Sequence, residues 1–222
     1  MWRVLHISDT HAGANAHGDP LERLETVLGA VAADGFSPDL VVHTGDISDA
    51  GQASDVEAVL DRLAGVAPVL AVPGNHDDPA TVTLTEAGLG PWRVIGIDTT
   101  IPGEITGQVH DLPHLAGELT GPTVLAMHHP MRTTSTNPWF TTLGRDRAVA
   151  ALSEARGPVV ALSGHTHESY AESLGNVRFW GGPACYYALT HDGDTWTHAG
   201  DTGVRLVELG PDRTATSRVL RA

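Results

Sequence analysis

The stretch APVLAVPGNHDD, residues 67–78, places an amide, an imidazole and two carboxylates (Asn75, His76, Asp77, Asp78) directly after a short apolar run. Val69, Leu70 and Val72 read as a buried strand, and Pro73-Gly74 ends it. Polar groups crowded against the end of a buried strand are tolerated where they satisfy one another or a bound ion. The same arrangement recurs along the chain. Asp9 and His11 follow WRVLHIS (2–8), and Asp46 and Asp49 follow DLVVHT (39–44). His128 and His129 follow TVLAM (123–127), and His165 and His167 follow PVVAL (158–162). WRVIGI (92–97) is one more run of the same kind. Five polar clusters therefore sit just past the carboxyl ends of apolar strands, which is where α/β architectures collect ligands.

Helical patterns separate the first strands. Leu21, Leu24, Val27, Leu28 and Val31 follow i, i+3, i+6, i+7, i+10, with Asp19 as N-cap, Pro20 at N1 and Glu22 at N3. Val56, Val59, Leu60 and Leu63 follow i, i+3, i+4, i+7 behind a capping box of Ser54 and Glu57. Weaker helical patterns cover residues 144–155 and 78–88. After residue 168 the pattern turns to β, with VRFWGG, ACYYAL, and finally GVRLVEL and RTATSRVL around a GPD turn. The chain thus opens as βαβαβ and closes in β, with no repeat or linker, and residues 1–222 read as one domain.

Composition narrows the function. A single cysteine, Cys185, excludes a disulfide framework and a Cys-based zinc site, and reads as a small buried hydrophobe. The N-terminal MWRVLHISD enters a strand at once without a leader pattern, and no apolar run is long enough for a bilayer, so the expected location is cytoplasmic and away from membranes. Acidic residues outnumber basic ones 27 to 13, every basic residue is Arg, and the net charge is -14. That balance argues against a nucleic-acid polymer as partner, and so against a nuclease. The 13 histidines matter through their placement. Seven or more converging His, Asp and Asn groups call for cations, and nitrogen and oxygen donors without sulfur suit two divalent ions of Mn or Fe, with Zn also admitted, better than Ca or Mg.

DTH (9–11), GDISD (45–49), GNHD (74–77), MHHP (127–130) and GHTH (164–167) together resemble the five ordered motifs of the calcineurin-like metallophosphoesterases. The wording LHISDTH, TGDISDAG, PGNHD, MHHP, SGHTH and PACYY is most similar to the bacterial class III cyclic-nucleotide phosphodiesterases. The resemblance implies a metallophosphoesterase-type β-sandwich flanked by helices in four αββα layers, with the metal site at the C-terminal ends of strands. It implies that Asp9, His11 and His167 hold one metal, that Asn75, His128 and His165 hold the other, and that Asp46 bridges both. His76 would contact the phosphate or protonate the leaving group, with Asp77 orienting it, and Asn75 and His76 would bind substrate. Two cations about 3.5–4 Å apart would acidify a bridging water and stabilise an in-line displacement. The implied substrate is a small phosphodiester, with 3′,5′-cyclic AMP the candidate. The same metal core also serves glycerophosphodiesters, phosphomonoesters and nucleotides, and some proteins of this fold are inactive scaffolds that have lost ligands; here every ligand position is filled. Compared with class III enzymes the chain is short, which implies an open rim and leaves monomer and homodimer both open.

Other residues carry plainer expectations. Gly45, Gly74 and Gly164 read as backbone permission for tight turns beside the metals. Asp49 reads as a loop or cap residue, His6 and His43 as core groups, and His129 as ambiguous. Trp139 and Phe140 read as either substrate rim or core. His17, His110, His114, His191 and His198 read as exposed loop residues.

Overall fold

The computed structural model describes residues 1–222. In chain order its elements are β1 (Trp2–Ile7), α1 (Pro20–Asp34), β2 (Leu40–His43), α2 (Ala53–Ala64), β3 (Val69–Ala71), β4 (Glu86–Leu89), β5 (Trp92–Ile97), β6 (Gly107–Gln108) and α3 (Leu112–Glu118). There follow β7 (Thr123–Met127), β8 (Thr142–Leu143), α4 (Arg145–Ser153), β9 (Val159–Ser163), β10 (Tyr170–Leu174), β11 (Val177–Gly181), β12 (Leu189–Asp192), β13 (Thr195–His198), β14 (Gly203–Leu209) and β15 (Ala215–Arg221).

Two sheets form the centre. One runs β15-β14-β1-β2-β3 and the other β10-β11-β9-β7-β5-β4. Side chains alternate along each strand, so each sheet has two apolar faces to cover. Val4, Leu40, Val42, Leu70 and Val72 of the first sheet meet Val94, Val124, Ala126, Val160 and Leu162 of the second in the core between them. On the far side of the first sheet, Leu5, Ile7 and Val41 pack against Leu24, Val27 and Val31 of α1 and Val56, Val59 and Leu63 of α2. On the far side of the second, Leu125, Met127, Val159 and Ala161 pack against Leu112 and Ala116 of α3 and Ala148, Val149 and Leu152 of α4. The expected αββα layering is therefore observed. No helix is long and apolar enough to cross a membrane.

β1, β2 and β3 are mutually parallel, as are β5, β7, β9 and β11, so the carboxyl ends of β1, β2, β3, β7 and β9 open toward one rim. Helix α1 starts as the sequence dictates: the Asp19 carboxylate accepts from the amides of Leu21 and Glu22, Pro20 occupies the first turn, and Gly35 ends it in the left-handed region at φ 76°.

Three expectations need correction. Helix α2 begins at Ala53 with Gln52 as its N-cap, not with the Ser54–Glu57 capping box. Ser48 Oγ, upstream, accepts from the amides of Ala50 and Gln52, and this fixes the approach to the helix. Residues 78–88 form no α-helix: a single 3-10 turn at Pro79–Thr81 leads into β4. The β-branched Thr81, Val82, Thr83 and Thr85 weaken a helix there, and pairing of β4 with β5 prevails. ACYYAL is not a strand until Leu189. Its first part crosses the end of β1, where the amides of Cys185 and Tyr186 donate to the carbonyls of Ser8 and Asp9.

Candidate metal centre

Backbone conformation marks the rim before any side chain does. Asp9 (φ 55°), His11 (48°), Asp46 (51°), His165 (70°) and His167 (52°) all lie in the left-handed region, and the only other non-glycine residue there is Arg213 in the β14–β15 turn. Each such residue costs about 1–2 kcal/mol relative to ordinary backbone. Five of them at one rim mean that the surrounding structure holds strained loops in order to aim particular side chains.

The glycines of these loops divide into two kinds. Gly45, at φ 88°, supplies the turn permission expected of it and is also closely approached, since a Cβ there would lie 2.7 Å from the Gly74 amide nitrogen and from His128 Nδ1. Gly74 and Gly164 do not have positive φ and serve instead by close approach. A Cβ on Gly74 would sit 2.2 Å from Asp46 Oδ1, and one on Gly164 would sit 1.9 Å from Ser8 Oγ and 2.7 Å from Asp9 Oδ2.

The side chains aimed by these loops are buried and convergent. Asp9, His11, Asp46, His128, His165 and His167 are each at most 4% exposed. Four imidazoles are pinned at one nitrogen by an oxygen acceptor, which fixes that nitrogen as the N–H. His11 Nδ1 donates to Asp49 Oδ1 (3.1 Å), His128 Nδ1 to the Thr44 carbonyl (2.8 Å), His165 Nε2 to the Trp139 carbonyl (2.8 Å) and His167 Nδ1 to the Tyr187 carbonyl (2.9 Å). The other nitrogen of each turns inward. His11 Nε2 faces His167 Nε2 at 3.2 Å, with Asp9 Oδ1 3.3 Å from the latter. His128 Nε2 faces His165 Nδ1 at 3.2 Å and Asn75 Oδ1 at 3.1 Å. Asp46 Oδ2 lies between the two groups, 3.8 Å from His11 Nε2 and 3.4 Å from His128 Nε2.

These donors fit cations. Two neutral imidazole lone pairs at 3.2 Å repel unless a proton or a metal lies between them, and a buried carboxylate facing both pairs supplies the balancing charge. The ligand atoms of Asp9, His11, Asp46 and His167 all lie within 4.8 Å of one another. Electrostatics point the same way. Burial opposes a charged His128, but the Asp46 carboxylate, Asp9 and the Thr44 carbonyl outweigh it and raise its pKa to about 9. Burial alone would raise Asp9 and Asp46, yet the His167 ring beside Asp9 and the His128 ring beside Asp46 hold both carboxyls well below their usual range. Burial, reinforced by His128, lowers His165 to about 4 and keeps it neutral. The rim attracts positive charge and has no Arg of its own to supply it.

The profile of the calcineurin-like phosphoesterases matches residues 3–169, three quarters of the chain and all five clusters. The chain belongs to this family. It is accordingly a hydrolase of phosphoester bonds. It is 33% identical to a cAMP/cGMP dual specificity phosphodiesterase of Mycobacterium tuberculosis over 253 aligned positions, covering 94% of this chain and 76% of that protein. It is also 33% identical to a Rhodococcus erythropolis protein named as a probable cyclic nucleotide phosphodiesterase, over 57% of this chain. That match spans 52% of the Rhodococcus protein's length. Among solved structures, a dimetal phosphatase from Danio rerio superposes with a TM-score of 0.68 at 12% identity, covering 98% of this chain and 95% of that one, which is a likeness of fold.

Within this phosphoesterase the remaining expected site residues part company. His76 is exposed at the mouth, its amide donating to Asp46 Oδ1 (3.0 Å) and its Nδ1 to the Asp49 carbonyl (2.8 Å). The expectation that Asp77 orients His76 is corrected: the Asp77 carboxylate accepts from the amides of Ile47 (3.1 Å), Ser48 (2.8 Å) and Gly74 (2.9 Å), clamping the β2 loop to the β3 loop. A short Asp side chain readily bonds nearby backbone amides, and here the amides of two loops claim both its oxygens. His129 is committed on both nitrogens, to Thr99 Oγ1 (2.8 Å) and the Ile105 carbonyl (3.0 Å), and so props the loop after β5. His6 and His43 are buried core groups as expected. His191 is half-buried, not loose, with Nε2 on the Thr166 carbonyl (2.8 Å).

Sequence reasoning missed the acceptors. The Asp49 carboxylate could have been suspected from its place in GDISD, three residues after Asp46. The carbonyls of Thr44, Trp139 and Tyr187 carry no sequence signal, because any residue type has one. A cleft of about 190 Å³ opens over the ligands, lined on one side by His11, Asp46, Asn75 and His76 and on the other by aromatic residues.

Proposed function

We propose that this rim holds two divalent cations and that the protein hydrolyses small phosphodiesters, with a 3′,5′-cyclic nucleotide as the foremost substrate. Asp9, His11 and His167 would hold one cation, Asn75, His128 and His165 the other, and Asp46 both. The observation that carries this reading is the set of four imidazoles, each pinned at one nitrogen and turned inward at the other, with the Asp46 carboxylate between His11 and His128 and the Asp9 carboxylate beside His167. The donor set favours Mn or Fe, with Zn admitted. Bound there, two cations supply Lewis acidity, acidifying a water and neutralising charge on the phosphoryl oxygens.

The chain's own groups do the rest. Asn75, with Oδ1 turned to His128, leaves its amide nitrogen for a phosphoryl oxygen. His76, with Nδ1 donated to Asp49, leaves Nε2 free in the cleft; protonated, it delivers a proton to the departing alkoxide. Asp77 holds the two loops that carry Asp46 and Asn75 at fixed separation. The naming of the Mycobacterium tuberculosis relative for cAMP and cGMP supports the nucleotide substrate. The absence of Lys and the acidic balance speak against a polyanionic one. The reading takes residues 1–222 as one cytoplasmic domain.

The test combines metal analysis with initial rates on 3′,5′-cAMP, 2′,3′-cAMP, a glycerophosphodiester and aryl mono- and diesters. Two equivalents of metal, a kcat/KM preference for 3′,5′-cAMP, and collapse of both metal content and turnover in Asp46→Asn support the proposal. Turnover that survives Asp46→Asn at full metal content removes Asp46 from the centre. Metal without hydrolysis of any ester identifies a binding scaffold.

A further inference from the structure

The far side of the cleft ends in an aromatic wall that the metal chemistry does not use. Trp139 and Trp196 both line the cleft with His11, Asp46 and Asn75. Their ring centroids are 5.2 Å apart with planes inclined 46°, and Trp139 is 49% exposed. Phe140, though buried, also lines the cleft, 5.7 Å from Trp196 and 5.3 Å from His165. Of the pair considered in the sequence, Phe140 is buried and Trp139 is exposed. Trp196 gives no sign of its role in sequence, because it arrives from the β12–β13 hairpin some 57 positions further on.

The wall is built. The Asn137 side chain accepts from the Trp139 amide (2.9 Å) and donates to the Asp194 carbonyl (2.6 Å), and the Thr136 amide donates to the Gly193 carbonyl (2.9 Å). The two tryptophan-bearing segments are thus tied to each other. The wall is also tied to the metal centre, because the Trp139 carbonyl is the acceptor for His165 Nε2. No arginine lines this cleft. An apolar, rigid, partly exposed aromatic face at fixed distance from a phosphoryl site suits a planar group attached to a phosphate of low charge.

We propose that Trp139 and Trp196 form a stacking platform for the aromatic or heteroaromatic substituent of a monoanionic phosphodiester, and that this platform sets substrate preference. The inference rests on the phosphodiesterase reading above and deepens it. Stacking on aromatic side chains is sequence-tolerant, so the platform accepts purines, pyrimidines and simple aryl groups and disfavours aliphatic diesters.

The experiment measures kcat/KM of the manganese-loaded protein on 3′,5′-cAMP, bis(p-nitrophenyl) phosphate and glycerophosphoethanolamine, in wild type, W139A, W196A and W139F, with metal content determined for each. The expected result is that each alanine variant lowers the ratio of aromatic to aliphatic kcat/KM by roughly 5- to 150-fold at unchanged metal content, and that W139F restores most of it. An equal loss on all three substrates, or a loss of metal, assigns the tryptophans to support of His165 and overturns the proposal. So does an unchanged ratio. If wild type hydrolyses bis(p-nitrophenyl) phosphate but not 3′,5′-cAMP, and the ratio still falls in the variants, the platform stands and the cyclic-nucleotide assignment falls. If wild type hydrolyses no diester, both fall.

Discussion

Gly74→Ala isolates one demand of the site from all others. The Gly74 backbone is one that alanine adopts without strain, since its φ is not positive. The obstacle is space alone. A Cβ there would lie 2.2 Å from Asp46 Oδ1 and 2.3 Å from the Asp46 amide nitrogen, against an ordinary contact of 3.4 Å or more, so something must yield by about 1.2 Å. Neither neighbour yields cheaply. Asp46 Oδ1 already accepts from the His76 amide, and the Gly74 amide itself is held by Asp77. Overpacking of this kind costs about 1–3 kcal/mol of stability. In a chain of this length that lowers Tm by roughly 2–12 °C.

The effect on chemistry should be larger than the effect on folding, because the displaced atom belongs to the carboxylate that lies between His11 and His128 and that the proposed centre shares between its two cations. A misplacement of about 1 Å at a reacting centre costs on the order of 100-fold in rate. Circular dichroism melts, metal analysis of the purified protein, and kcat on an aryl diester test this together. The expected outcome is a folded protein with a modestly lowered Tm, less than two equivalents of metal, and turnover down about 100-fold or more. Near-wild-type turnover with Tm within a degree would show that the β3 loop shifts freely relative to Asp46, and would refute the view that Gly74 is required by close approach.

Three further outcomes follow from named contacts. Asp49→Ala frees His11 Nδ1, and the loss of such a support lowers metal affinity or activity by about 10- to 100-fold; unchanged metal affinity by titration would remove Asp49 as a positioning residue. Burial lowers the folded-state pKa of His6 to about 3 and of His43 to about 4, so the unfolded chain takes protons that the folded one refuses. Stability is full above the unfolded value of 6.5 and falls as pH drops toward the folded values, with a slope of about 1.4 kcal/mol per pH unit per histidine. His128 and His11, whose values are raised, add no slope below 6.5 because both states are then protonated. Urea midpoints between pH 6.5 and 5 in the presence of chelator should fall accordingly, and less steeply in His6→Asn; flat midpoints would contradict the burial argument. Gly29→Ala, on the exposed face of α1 with nothing within 4 Å of the new Cβ, should add about 0.5–1 kcal/mol and leave turnover unchanged.

The layout of the site was legible because its signal lies in residue type at strand ends. Val, Leu and Ile runs stop where buried sheets stop, and although one strand-end Asp or His can serve a cap or a turn, five such clusters on one rim point to a shared site. The parallel order of β1, β2 and β3 followed from two amphipathic helices between them. What was not legible depends on competition between partners. The Ser54–Glu57 box lost to Ser48 and the 78–88 pattern lost to pairing with β5, both neighbours in sequence whose competing partnership a periodicity count does not weigh. Asp77 was misread for the same reason: its partners are backbone amides of a loop 30 residues away.

The left-handed backbone at five ligand positions was equally invisible, and it bears most on mechanism. A strand that ends in ordinary turn geometry would let these side chains follow the sheet's own alternation, with neighbours pointing to opposite faces. Asp9 and His11, or His165 and His167, are two apart on strand extensions, and in the proposed centre each must present a specific nitrogen or oxygen to a cation. Left-handed residues at both members of each pair re-aim them individually. Such loops are stable only if their surroundings are rigid. Here two sheets share one core, and three carbonyls and a carboxylate pin the imidazoles from behind. Because one of those carbonyls belongs to Trp139, the group that fixes the angle of His165 is covalently continuous with the wall facing the substrate. In the proposed centre, metal geometry and substrate placement would then be set by the same short segment, and replacing the Trp139 side chain while retaining its backbone is the perturbation that separates them.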